Sequence, residues 1–100
     1  MPKFERGQVI HHKRLGYRGV VLAVDDEFQG VESHHREQCA KVARDKPWYH
    51  VLVDGSEEEA YVAERHLELD ESEQPVEHPL LGIFFDELRS GRYVRNRLLN

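Results

Sequence analysis

The stretch Lys46-Pro47-Trp48-Tyr49-His50-Val51-Leu52-Val53-Asp54-Gly55 constrains the fold of this chain more than any other. Proline fixes φ and lacks an N–H, so Pro47 suits the entry of a strand, and Asp54-Gly55 supplies the positive-φ chemistry of a turn. The result is an anchored β-strand that ends in a reversal. Consecutive strand residues point to opposite faces, so one of Trp48 and Tyr49 is expected inward and the other exposed or at an edge. The outward one is then a candidate for binding a protein partner.

The rest of the chain reads as more short strands. Gly7 to Lys13 forms a first strand, Leu15-Gly16-Tyr17-Arg18 a tight turn, and Gly19 to Val24 a second strand. Val20 to Val24 is a continuous apolar run, the mark of a central strand buried on both faces. Residues 27 to 45 are polar, with a short helix expected from Ser33 to Val42 that turns Cys39, Ala40 and Ala43 inward. Trp48 to Val53 and Ala60 to Ala63 then make a hairpin across Asp54-Gly55. Glu64 to Leu69 fits a 3₁₀ turn or a fifth strand that closes a barrel. Residues 70 to 77 form an acidic linker. His78-Pro79 opens a helix, with Leu80, Leu81, Phe84, Phe85 and Leu88 at helical spacing until Ser90-Gly91 ends it. Residues 92 to 100 make a basic tail. Four to five short strands with one late helix predict a mainly β fold, a small, strongly bent antiparallel barrel of SH3-like type with a short C-terminal helix.

One hundred residues, 39% of them hydrophobic, suffice for a single domain spanning 1–100 with one modest core. A cofactor domain does not fit, and no cofactor is expected. The lone Cys39 has no internal disulfide partner, and no stretch resembles a signal peptide or a membrane span, so a reducing cytoplasm fits best. The formal net charge of −5 is unevenly spread. Residues 1–24 carry five basic and one acidic side chain, 54–78 one basic and ten acidic, and 79–100 four basic and two acidic. A general nucleic-acid binder would be basic throughout, so any DNA contact must come from a local patch.

The seven histidines do not make a metal site. His11-His12 and His34-His35 are adjacent pairs, which on a strand face apart, and none shows i, i+4 spacing or cysteine-rich company. No catalytic site emerges either: Cys39, Ser33, Ser56, Ser72 and Ser90 lack a nucleophile motif, and the carboxylates of 57–77 read as a solvated surface. Such a run can meet a basic partner, though a solubilising role is favoured. The N-terminal turn is more specific. Lys13, Arg14 and Arg18 flank Tyr17, a pattern that can touch phosphates and stack a base, against the plainer reading that Tyr17 covers a barrel end. At the other terminus Leu98 and Leu99, set among Arg92, Arg95 and Arg97, are candidates for docking on a partner or another subunit.

Three segments together suggest a family: Phe4 with Gly7-Gln8-Val9, then His12-Lys13-Arg14-Leu15-Gly16-Tyr17-Arg18-Gly19-Val20-Val21, then Pro47-Trp48-Tyr49-His50-Val51-Leu52-Val53. Ala60-Tyr61-Val62-Ala63-Glu64, Leu67-Glu68, His78-Pro79, Phe84-Phe85 and Gly91-Arg92-Tyr93 follow in order. The chain resembles the YccV-like, hemimethylated-DNA-binding family that includes the heat-shock protein HspQ. That resemblance implies a small β-barrel without a catalytic site, a bacterial stress link, a preference for hemimethylated DNA, and a part in regulated proteolysis beside a Lon-like protease. It also implies self-assembly, with a trimer suspected. Residues 27–45 match least and stand as a variable insert. The acidic balance favours an adaptor or specificity factor in Lon-linked degradation, with hemimethylated DNA binding through Lys13 to Arg18 as the alternative.

Overall fold

The computed structural model describes residues 2–28 and 46–95. Its elements run β1 (Val9–His12), β2 (Arg18–Asp25), β3 (Trp48–Val53), β4 (Glu59–Ala63), a 3₁₀ turn (Glu64–His66), β5 (Leu67–Leu69), α1 (Leu81–Phe84), β6 (Glu87–Arg89) and β7 (Arg92–Val94). The first five strands form one antiparallel sheet in the order β4-β3-β2-β1-β5, and β6 pairs with β7. The mainly β, five-stranded reading holds. The two edge strands, β4 and β5, are joined by only the three residues of the 3₁₀ turn, so the sheet must curl until its ends approach one another. Glu64 to Leu69 thus supplies both the turn and the fifth strand.

The run from Val20 does lie centrally, with β1 on one side of β2 and β3 on the other. Val21 enters one core with Phe4, Ile10, Tyr49, Val51, Val62 and Leu67, while Val20 enters a second with Val9, Val76, Phe85 and Tyr93. Alternation along β1 and β2 therefore feeds two cores on opposite faces of the sheet. The double burial stops at Leu22, where the register with β3 slips between Val21 and Ala23 and leaves Ala23 exposed. Such a bulge bends a strand and sharpens its twist. Gly19 lies across from Val53, and a Cβ there would come within 2.5 Å of Val51 Cγ1 and 2.7 Å of the Leu52 carbonyl oxygen.

The late helix is shorter than its spacing predicts. Only Leu81–Phe84 is helical; Phe85 is extended (φ −134°, ψ 152°), and Glu87–Arg89 forms a hairpin with Arg92–Val94. Ser90 and Gly91 both take positive φ, as the two central residues of a tight hairpin turn require. Three causes act together. Gly82 weakens the helix, Ser90-Gly91 favours the reversal, and an extended backbone lets Phe85 join Tyr93 in the second core. Arg6 and Arg95 guanidinium groups donate to the Phe84 carbonyl at 3.3 and 2.9 Å, which caps the stopped helix. The basic tail likewise begins as strand, since Arg92 to Val94 is β7.

The acidic segment of residues 70 to 77 is a strap rather than a loose linker. Gly55 N–H donates to the Glu77 carbonyl (2.8 Å), Glu77 N–H to Asp54 Oδ1 (2.7 Å), and Val76 N–H to the Tyr93 hydroxyl (2.8 Å). Val76 is buried beneath it. The helix expected at Ser33 to Val42 and most of the 27–45 insert lie outside the described residues. Among the described residues, no helix is long and apolar enough to cross a membrane.

Candidate nucleic-acid interface

The β1–β2 turn is built on one histidine. His12 ends β1 with its ring buried, and its Nδ1 accepts the backbone N–H of Arg14 (3.1 Å) and of Leu15 (2.9 Å). An accepting Nδ1 carries no proton, so the neutral ring bears its hydrogen on Nε2. Its backbone closes the turn as well, with Gly16 N–H donating to the His12 carbonyl (2.9 Å) and His12 N–H to that of Tyr17 (2.8 Å). Gly16 supplies the positive φ, +80°.

The neighbouring 3₁₀ turn is locked to this one. Lys13 N–H donates to the His66 carbonyl at 2.8 Å, and the His66 ring lies parallel to that of His12, centroids 5.5 Å apart and planes 7° from coplanar. Burial, and then the nearness of His66, His11 and Arg14, push the His12 pKa below its usual value. Burial, then Arg65, Arg14 and Lys13, do the same to His66. Three cations thus surround a pair of neutral imidazoles. Beside them opens a groove of about 630 Å³ walled by Arg14, Leu15, Tyr17, Glu58, Tyr61 and His66.

The residues proposed from sequence divide. Lys13 and Arg14 are exposed on the turn, and neither side chain meets a carboxylate among the described residues. Tyr17 packs inward against the first core and lies 5.0 Å from the His12 ring, and burial pushes its phenol pKa up. Arg18 is not part of the cationic rim. Its guanidinium donates to Asp70 Oδ2 (3.0 Å), Asp54 Oδ2 (3.1 Å), the Pro75 carbonyl (3.4 Å) and the Gln74 carbonyl, stapling the strap to β2. Charge neutralisation there is complete within the fold.

The expectation that one of Trp48 and Tyr49 would stand outside is overturned, because both are 0% exposed. They do face apart, but each face is covered. Tyr49 enters the first core, where its hydroxyl donates to Glu64 Oε2 (2.6 Å) and accepts from Lys3 N–H (3.1 Å) and Phe4 N–H (3.2 Å). Trp48 packs with Ala63, Phe28 and Tyr61 in a third cluster. Neither presents a surface to a partner. Leu98 and Leu99 lie outside the described residues.

The histidines divide as strand alternation requires: His11 turns outward to Glu68 (2.9 Å) while His12 turns in. His50 bridges Asp25 (3.1 Å) and Glu59 (3.3 Å) at the sheet surface. Among the described residues no group of three or more His, Cys, Asp or Glu side chains is placed to hold a metal. What sequence reasoning missed is Arg65 and His66. Antiparallel pairing of β5 with β1, in which His12 lies opposite Leu67, brings them beside Lys13. The only sequence signal is that they immediately precede that strand.

Two features of opposite charge therefore sit on one small sheet: an acidic strap tied to Arg18 through Asp70 and the Gln74 and Pro75 carbonyls, and a turn whose Lys13 and Arg14 meet no carboxylate among the described residues. A family model described as hemimethylated DNA-binding protein, YccV-like, matches residues 2–92, which includes every element of the sheet and the whole of this turn. The chain belongs to the YccV-like family.

Proposed function

We propose that this protein is a non-enzymatic module that docks duplex DNA, hemimethylated as the family description has it, against the rim formed by Lys13 and Arg14. The observation that carries the reading is the locked β1–β2 turn, which presents Lys13 and Arg14 without carboxylate partners among the described residues. Cations placed in this way bind phosphates by releasing condensed counterions.

The test is fluorescence anisotropy with hemimethylated, fully methylated and unmethylated duplexes over a range of salt. Two phosphate contacts give a log–log salt slope near roughly −1.8, and Lys13→Ala/Arg14→Ala, which leaves neither, brings it close to zero. A flat slope in the parent protein, or an unchanged slope in the double variant, would defeat the proposal. Equal affinity for all three duplexes would remove the methylation preference and leave plain DNA binding.

A second reading, an adaptor in degradation by a Lon-like protease and acting as a homo-oligomer, is favoured by Leu80 and Ile83, 37% and 61% exposed, beside the acidic strap. Substrate degradation assays run in parallel separate the two. Faster degradation with no DNA binding supports the adaptor.

A further inference from the structure

Leu15 is 73% exposed, the most exposed large apolar side chain among the described residues. A lone surface leucine is ordinary and means nothing by itself. This one differs in its mounting. Its own N–H and that of Arg14 are held by the buried His12 ring, and the next residue, Gly16, is tied to the His12 carbonyl. The turn is tied again to the 3₁₀ turn through Lys13 N–H. Ordering the tip on binding therefore costs little, because the fold has already ordered it.

The charge around it selects the occupant. Lys13 and Arg14 precede Leu15 directly, both exposed and neither meeting a carboxylate among the described residues. An apolar tip set among cations suits a ligand that offers an apolar slot flanked by anions. A partly opened base step, with a phosphate on either side, is such a ligand. A hydrophobic protein patch would leave the flanking cations unpaired.

We infer that Leu15 is a wedge: the β1–β2 turn inserts it between adjacent base pairs while Lys13 and Arg14 hold the neighbouring phosphates. The inference rests on the DNA reading above and specifies what the turn does to the duplex. The wedge partly unstacks one step and kinks the helix, and the groove behind the turn gives the displaced base edge room.

The experiment uses the full chain with Leu15→Ala and Leu15→Phe, two variants at an exposed position whose melting temperatures are checked first. Duplexes carry 2-aminopurine at each step in turn, which brightens when it is unstacked, and donor and acceptor dyes at the ends to report bending. Binding by the parent protein is expected to brighten one step and shorten the end-to-end distance. Leu15→Ala is expected to lose both signals and to bind the intact duplex about tenfold more weakly, as one lost apolar contact of ~1.4 kcal/mol implies. Leu15→Phe restores them. On a duplex with a single-base bulge, where unstacking is already done, the deficit of Leu15→Ala shrinks. Tight binding with an undisturbed stack, or Leu15→Ala behaving as the parent, overturns the wedge and leaves the docking surface intact. Absence of binding to any duplex overturns both.

Discussion

Arg18→Gln separates a structural arginine from a DNA-contacting one. The substitution keeps most of the apolar stem and removes the guanidinium, which meets Asp70 at 3.0 Å and Asp54 at 3.1 Å and also donates to the carbonyls of Gln74 and Pro75. Side-chain exposure is 21% for Arg18, 27% for Asp54 and 12% for Asp70, so the pairs lie between the surface and the interior. Exposed pairs contribute about 0–1 kcal/mol, and hydrogen bonds to charged groups about 1.5–3 kcal/mol. Asp54 retains the Glu77 N–H and Asp70 the Ser72 hydroxyl, so neither is left bare. The net loss is about 2 kcal/mol, or roughly 8–16 °C in Tm for a chain of this size. Calorimetry near neutral pH measures it. The acid limb gives a second check. Burial raises the Asp70 pKa, but hydrogen bonds from Ser72 and Arg18 and the Arg18 charge outweigh it and hold the carboxyl below its usual range. A depressed carboxyl stabilises above its unfolded value, near pH 4, and the contribution is lost as pH falls through the folded value. Arg18→Gln should therefore flatten stability against pH on that limb. Its DNA salt slope should match the parent's, whereas a lost phosphate contact would shift it by about 0.9. A Tm drop under about 3 °C together with a reduced slope would refute the structural assignment.

Tyr49→Phe should cost about 3 kcal/mol in chemical denaturation, because it removes the donor to Glu64 and leaves the buried Phe4 N–H without its acceptor. A loss below about 1 kcal/mol would mean that the hydroxyl is dispensable. Gly19→Ala should lower stability by about 2–3 kcal/mol through the clash with Val51 and the Leu52 carbonyl, read as a lower urea midpoint; a neutral result would show that β3 yields freely. His12 favours its neutral form in the fold, so the unfolded chain binds more protons as pH falls through about 6.5 and stability declines there. His12→Asn keeps an acceptor for the Arg14 and Leu15 N–H groups without titrating, so its Tm should change less than the parent's between about pH 7.5 and 5.5. An identical pH dependence would contradict this role for His12.

Local pattern carried the strands because each is written in consecutive residues. Val20 to Val24 announced a central strand, and Asp54-Gly55 a hairpin, without reference to anything distant. The errors share one cause, which is contact across long sequence separations. Periodicity puts Trp48 and Tyr49 on opposite faces, but only the fold reveals that Phe28 and Tyr61 cover one while Phe4 and Ile10 cover the other. Arg18 looks like its neighbours Lys13 and Arg14 until Asp54 and Asp70, 36 and 52 residues away, fold against it. The helical spacing from Leu80 to Leu88 was real, yet Phe85 gains more from joining Tyr93 and Val76 in the second core than from continuing a glycine-weakened helix. For the site, Lys13 and Arg14 were legible. Arg65, His66 and the mounting of Leu15 were not, because they depend on β5 reaching β1.

Net charge misleads for the same reason. The formal −5 counts every carboxylate of residues 54–78 against DNA, yet several of them are already engaged within the fold. Asp54 and Asp70 neutralise Arg18, Glu64 takes the Tyr49 proton donor, Glu59 faces His50, and Glu68 faces His11. Lys13 and Arg14, where β1 turns into β2, meet no carboxylate among the described residues. At physiological salt a charge more than about 8 Å away is largely screened, so the formal total says little about the field at any one point of the surface. The burial of His12 and His66 serves this arrangement. If both rings were protonated, the turn would carry five positive charges within one small cluster, and repulsion would work against the bonds that hold Leu15 in place. Neutral imidazoles avoid that repulsion, and the His12 Nδ1 keeps the Arg14 and Leu15 N–H groups.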